Sequence, residues 1–346
     1  MSRRWRYRPE GSNWGEFGDD DQCGRLNLLT PEKVLDAISE VHEGLTFCLS
    51  LPLDYPGGNA LNPRRHPPRR FATLRGGRAN YNYVLADEEP YWTDVVSDDA
   101  VLIHTQYSTQ WDSLAHVGSL FDAAGVGTPQ ALYYNGFRAG EDVLGPPASE
   151  DHANGPVLEG VEARRLGIEN MAERCVQGRG VLIDLHTRYR TERKAIGYEE
   201  LMRVCDADDV VVESGDMLCV HTGFARMLLD MQGAPDAELL HRSAAVLDGN
   251  DERLLQWITD SGIAVLIADN FAVEAFPPEP TDKPRAALPL HEHCLFKLGI
   301  HLGELWFLSE LASWLREHRR SRFLLTAPPL RLPGAVGSPL APVATV

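Results

Sequence analysis

From residue 180 onward, short apolar runs alternate with stretches of helical period, and that alternation constrains the fold more than any other property of the chain. Gly180–Leu185, Val210–Val212, Met217–His221 and Ala264–Ala268 read as strands. Uninterrupted apolar runs of roughly four to eight residues suit a strand buried on both faces. Helical runs lie among them at Glu199–Cys205, Ala225–Met231, Ala237–Leu247 and Asp251–Ser261. Further strands are expected at Ala100–His104, in 300–308 and in 323–326. Such a succession gives an α/β domain with a mixed sheet. Near the start, Thr30-Pro31-Glu32-Lys33 opens a helix, with Thr30 as N-cap and Pro31 in the first turn. Residues 52–80 are rich in Pro, Gly, Asn and Arg and read as a long covering loop. No repeat or low-complexity linker divides the chain. One domain is expected over 1–346, with 1–95 as extension and covering loops and 96–340 as the core carrying the active-site motif.

Composition narrows the function. Thirty-three basic residues against 50 acidic ones leave a net charge of −17. Nucleic acid and anionic membranes both demand a basic footprint, so neither is expected as a partner. Arg64, Arg65, Arg69 and Arg70 do cluster, but prolines interrupt them, and the group reads as a solvated loop rather than an anion site. Cys23, Cys48, Cys175, Cys205, Cys219 and Cys294 form no Cys-x-x-Cys pair, which suggests neither a disulfide framework nor a thiolate zinc site. No stretch reaches the roughly 18 apolar residues of a membrane span, and no secretory leader follows Met1. A soluble, cytoplasmic protein is expected, acting on a small molecule.

The chemistry concentrates in Gln106-Tyr107-Ser108-Thr109-Gln110-Trp111-Asp112-Ser113-Leu114-Ala115-His116. As a strand, this segment turns Gln106, Ser108, Gln110 and Asp112 to one face. With a helix starting near Ser113, His116 stays close to Asp112. Two amides, a carboxylate and an imidazole then converge.

This segment resembles the central motif of the cyclase family of metal-dependent hydrolases, which includes kynurenine formamidase and isatin hydrolase: His-x-Gly-Thr-His-x-Asp-x-Pro-x-His. The longer members of that family also share the opening from Asn13-Trp14-Gly15 to Asn27, and Tyr134-Asn135-Gly136, Arg179 to Asp184, Val220-His221-Thr222-Gly223, Ala268 to Glu274 and Pro333 to Pro339. The resemblance implies a swivelling β/β/α domain with a mixed sheet and long covering loops, assembled as a homodimer or higher homo-oligomer. It places Asp112 as a metal ligand and His116 as the proton carrier, and matches the family's distant ligands to His291 and Glu304. The motif's first two histidines fall on Gln106 and Gln110, which are provisional ligands here.

Hydrolysis of an amide or ester needs a nucleophile stronger than bulk water, and a divalent ion supplies it by lowering the pKa of its water from about 15.7 toward about 7. Two carboxylates such as Asp112 and Glu304 would repel without a cation between them. Glutamine offers a neutral, hard oxygen where imidazole offers a borderline nitrogen. The exchange weakens the case for zinc and extends the candidates from Mn²⁺ or Zn²⁺ to Mg²⁺ or Ca²⁺. One retained ion, a retained pair and no ion all stay open, and His104, two positions before Gln106, is a substitute ligand or a plain strand-end histidine. The function expected is hydrolysis of a small cyclic or aryl amide or lactone. Alternatives are a metal-free cyclase or dehydratase and a catalytically silent ligand-binding protein. His116 serves as general acid and base, because imidazole exchanges protons near neutrality. Trp111 either walls the pocket or is a core aromatic. Trp14 and Phe271 are expected near the pocket mouth, and His221 either lines the pocket or orients its turn. His293 and His301 lie close in sequence to the distant ligands, but spacing alone makes neither a strong ligand. Asp269 and Glu274 are expected to support loop structure. A serine esterase is weaker, since no Gly-x-Ser-x-Gly elbow occurs.

Overall fold

A computed structural model describes residues 3–146, 160–276 and 284–346. Its frame is a nine-stranded mixed sheet. In chain order the strands are β1 (Thr46–Cys48), β2 (Gln110–Asp112), β3 (Gln177–Asp184), β4 (Met217–His221) and β5 (Val265–Ala268). They continue with β6 (His301–Glu304), β7 (Arg322–Thr326), β8 (Gly337–Pro339) and β9 (Val343–Thr345). Across the sheet the order is β1-β9-β7-β3-β4-β5-β6-β2-β8. The central strands β3, β4, β5 and β6 run parallel, and the flanking pairs are antiparallel.

Burial on both faces explains the unbroken apolar runs. Along β3, Val181 and Ile183 enter one core while Leu182 enters the other; in β4, Leu218 and Val220 oppose Met217 and Cys219; in β5, Leu266 and Ala268 oppose Val265 and Ile267. The helix Pro31–Ile38 begins as expected, with the Thr30 hydroxyl accepting from the Lys33 amide, and lies over β3 and β7.

Several expectations change. Only Gln110–Asp112 of the central motif is strand; Gln106 sits in a preceding turn, and a turn rather than a helix follows, where the His116 amide donates to the Ser113 carbonyl. Val210–Val212 is not a strand, because it runs into a turn at Gly215, whose φ is +82°. Ala237–Leu247 divides: Ala244 takes a left-handed φ of +63°, which ends a helix at Ala237–His241 and frees Ala245–Leu247 to pair with Lys194–Ile196. The expected strand at Ala100–His104 is Asp99–Leu102, paired with Arg69–Ala72. The expected loop over residues 52–80 is irregular as far as residue 68 and rises into a ribbon arm only from Arg69.

Candidate metal centre and pocket

Register builds the site. β2 runs antiparallel to β6, so Gln110 faces Glu304 and Asp112 faces Leu302. Period two puts Gln110 and Asp112 on one face and Trp111 on the other. His291 arrives from the short helical turn Pro289–His291, which continues as a π-helical segment, Glu292–Leu298. Asp112, His291 and Glu304 are buried and offer ligand atoms within 4.8 Å of one another.

The contacts are dense. Gln110 Nε2 donates to Asp112 Oδ1 at 3.3 Å and to Glu304 Oε2 at 3.2 Å. His291 meets Glu304 Oε1 through Nε2 at 3.2 Å and Glu274 Oε1 through Nδ1 at 2.8 Å. Glu274 also accepts from the backbone amides of Leu290 and His291. Gln106 Nε2 lies 3.5 Å from His116 Nδ1, whose ring reaches within 3.9 Å of Asp112 Oδ1 through Nε2. His116 is half-buried, whereas the three ligand candidates are sealed.

Electrostatics matches the geometry. Burial, reinforced by the charge of Glu304, raises the Asp112 carboxyl above its ordinary range. Burial also pushes Glu304 up, but its hydrogen bond with His291 and the charges of His291, Arg65 and His116 draw it below the usual range. Burial pushes His291 down, and the bonds to Glu274 and Glu304 overcome this and lift it to about 10. Asp112 Oδ2 and Gln110 Oε1 are buried without a hydrogen-bond partner among the described residues. Orphaned oxygens beside a clustered imidazole and carboxylates fit a hard divalent cation.

Beside this centre a cavity is lined by Leu61, Arg65, Gln106, Tyr107, Phe271 and Leu305, among others. Phe271, expected near a pocket mouth, is among these lining residues. Trp111 does not wall the cavity: it is fully buried, donates Nε1–H to the Ala327 carbonyl and packs edge-on against Trp306. Trp14 is likewise a core residue, donating to the Phe296 carbonyl and packed edge-on against Trp5 and Phe121. His104 bonds the backbone of His66, and His293 bonds Thr259. His301 is buried, with no partner for its Nδ1 among the described residues.

His221 belongs to a second polar cluster, at the carboxyl ends of β3, β4 and β5. Its Nδ1 meets Asp184 Oδ1 at 2.9 Å and its Nε2 meets Ser309 Oγ at 3.1 Å, with Asp269 Oδ2 at 3.9 Å. Asp184, His221 and Ser309 thus stand in the order of a serine hydrolase triad. Burial lowers the imidazole pKa, yet the hydrogen bond to Asp184 and the charges of Asp269 and Asp184 raise it overall. Asp269 accepts from Thr222 N, Thr222 Oγ1 and Gly223 N and fixes the turn after β4, a loop role as expected.

Two residues carry more than the sequence reading gave them. Glu274 was expected only to support a loop, yet it orients His291. Arg65 turns inward while Arg64, Arg69 and Arg70 stay exposed.

The Cyclase family model matches residues 49–275. A crystal structure described as a novel cyclase is 30% identical, covers 97% of each chain and superposes with a TM-score of 0.73. Isatin hydrolase A from Labrenzia aggregata, bound to benzyl benzoate, is 13% identical over 89% of this chain and 94% of its own, with a TM-score of 0.53. Isatin hydrolase A from Ralstonia solanacearum is 12% identical over 91% and 97%, with a TM-score of 0.52. No curated protein matches the chain.

Proposed function

The chain belongs to the cyclase family, and from that premise we propose that it is a metal-dependent hydrolase of small cyclic or aryl amides or lactones. The observation that carries this is the buried cluster of Asp112, His291 and Glu304 with ligand atoms within 4.8 Å. Solved structures with this fold include isatin hydrolases, so the architecture houses hydrolytic enzymes. Asp112, His291 and Glu304 would hold one ion, with Mn²⁺ or Zn²⁺ the first candidates. When bound, that ion would supply Lewis acidity and a water pKa lowered toward about 7.

The chain's own groups do the rest. Glu274 holds the His291 ring by Nδ1, a carboxylate–imidazole support that fixes a ligand's orientation and basicity. A half-turn of the Gln110 amide would exchange Nε2 for the orphaned Oε1 and offer an ion a neutral oxygen donor. His116, half-buried beside Asp112, carries the proton between the attacking water and the leaving group. Phe271 and Leu305 present an apolar wall to the ring of the substrate.

One observation favours a second reading. As oriented, Gln110 Nε2 links Asp112 to Glu304 without a cation, which suits a metal-free cyclase or a ligand-binding protein. Elemental mass spectrometry of untagged protein, purified without chelators, separates the readings. About one Mn or Zn per chain is expected, lost on Asp112→Ala, while His116→Asn keeps the ion and lowers turnover of the amide or lactone found by screening roughly 10²–10⁴-fold. A site that takes up none of added Mn²⁺, Zn²⁺, Mg²⁺ and Ca²⁺ ends the hydrolase reading.

A further inference from the structure

The arginine cluster has one member that differs from the rest. Arg65 is half-buried, lines the cavity with Gln106 and Phe271, and donates from Nη1 to the Gln106 carbonyl at 2.7 Å. That bond pins the guanidinium at the cavity wall and uses one of its five N–H donors. Among the described residues no carboxylate oxygen lies within 4.0 Å of it, whereas Arg75, Arg78 and Arg179 each hold one. A fixed, partly desolvated guanidinium with free donors suits a planar anion, which it grips through two parallel hydrogen bonds. Phe271 and Leu305 line the same cavity and add apolar surface. The cavity thus combines a guanidinium with apolar side chains, and Gln106 connects it through His116 to Asp112.

We propose that Arg65 determines specificity by receiving a carboxylate carried by an aryl or cyclic substrate, apart from the bond that is cleaved. This deepens the hydrolase reading and rests on it for the substrate, though anion capture by Arg65 is testable by itself.

The test is titration calorimetry of the protein as purified with benzoate and with benzamide, which have similar shape and differ in charge. Wild type should bind benzoate at least about tenfold more tightly than benzamide. Arg65→Gln should abolish the preference and Arg65→Lys should retain part of it, with melting temperatures close to wild type. Equal affinities, no binding of either probe to wild type, or a preference that survives Arg65→Gln would each overturn the proposal; the last would put the carboxylate elsewhere, on a bound ion included. Hydrolysis is read separately, with Mn²⁺ present, on phenyl acetate and 4-carboxyphenyl acetate. Turnover of neither ester beside an intact, Arg65-dependent benzoate preference counts against the hydrolase and for the anion site. Turnover of both with equal kcat/KM, unaffected by Arg65→Gln, does the reverse.

Discussion

Gln110 is the residue on which the metal question turns. Its amide sits between two buried carboxylates that an ion would otherwise reconcile. An imidazole there would supply a borderline nitrogen in place of a hard amide oxygen. Gln110→His is therefore expected to raise Zn²⁺ affinity at least about tenfold over wild type, read by competition with a chromogenic chelator; unchanged affinity would mean that residue 110 is not a ligand position. His301 makes a different prediction. Burial pushes its imidazole down to about 3, so the folded protein keeps it neutral while the unfolded chain protonates it near pH 6.5. Between those values the unfolded state binds more protons, so the stability tied to this group is complete above about pH 6.5 and drains as pH falls toward about 3. The denaturation midpoint of His301→Leu should fall less than wild type's between pH 7 and pH 4.5. At this scale the sequence was informative where residues act locally: Gln110, Asp112 and His116 come from one segment. Glu274 was not legible, because its partner His291 lies 17 positions away.

Strain gathers in the elements that present the site. Ala272 and Val273 are consecutive left-handed residues, with φ of +69° and +55°, and Leu305 follows at +56°. They flank Phe271, Glu274 and Glu304. The Asp269-Asn270 step reads as a turn, but neither Ala272 nor Val273 is a glycine or asparagine, so turn chemistry does not reveal the bend that aims Glu274 at His291. Left-handed backbone costs an L-residue with a Cβ about 1–2 kcal/mol, against the roughly 0.5–1 kcal/mol of extra entropy that glycine loses. Ala272→Gly should thus stabilise the protein by about 0.5 kcal/mol in urea denaturation; a clear loss of stability would place the strain elsewhere. The parallel strands β3 to β5 were legible because burial on both faces writes itself as continuous apolar sequence. β8, Gly337–Pro339, was not: its composition is that of a coil, and Pro339 is tolerated because β8 is the sheet's edge strand.

At the scale of the whole molecule, the arm between residues 69 and 102 stands apart. Its three ribbons pair Arg69–Ala72 with Asp99–Leu102, Leu74–Arg75 with Arg78–Ala79 and Tyr83–Val84 with Val95–Val96, and none of these strands joins the nine-stranded sheet. Yet the arm exposes Phe71, Leu74, Tyr81, Val84, Tyr91, Trp92, Val95, Val101 and Leu102, with Tyr91 at 90%. Single exposed apolar residues are ordinary; this many on one projection mark a surface that something covers. The net charge of −17 opposes association between copies at low salt, but at about 0.15 M salt it is screened beyond about 8 Å. The expected outcome is a homodimer or higher oligomer in sedimentation velocity at that ionic strength. Replacing residues 73–98 with a short Gly-Ser turn, which joins the adjacent ends of a paired ribbon, should yield a monomer that still melts cooperatively. An intact chain that sediments as a monomer across the micromolar range would show that the arm's apolar face does not serve self-association.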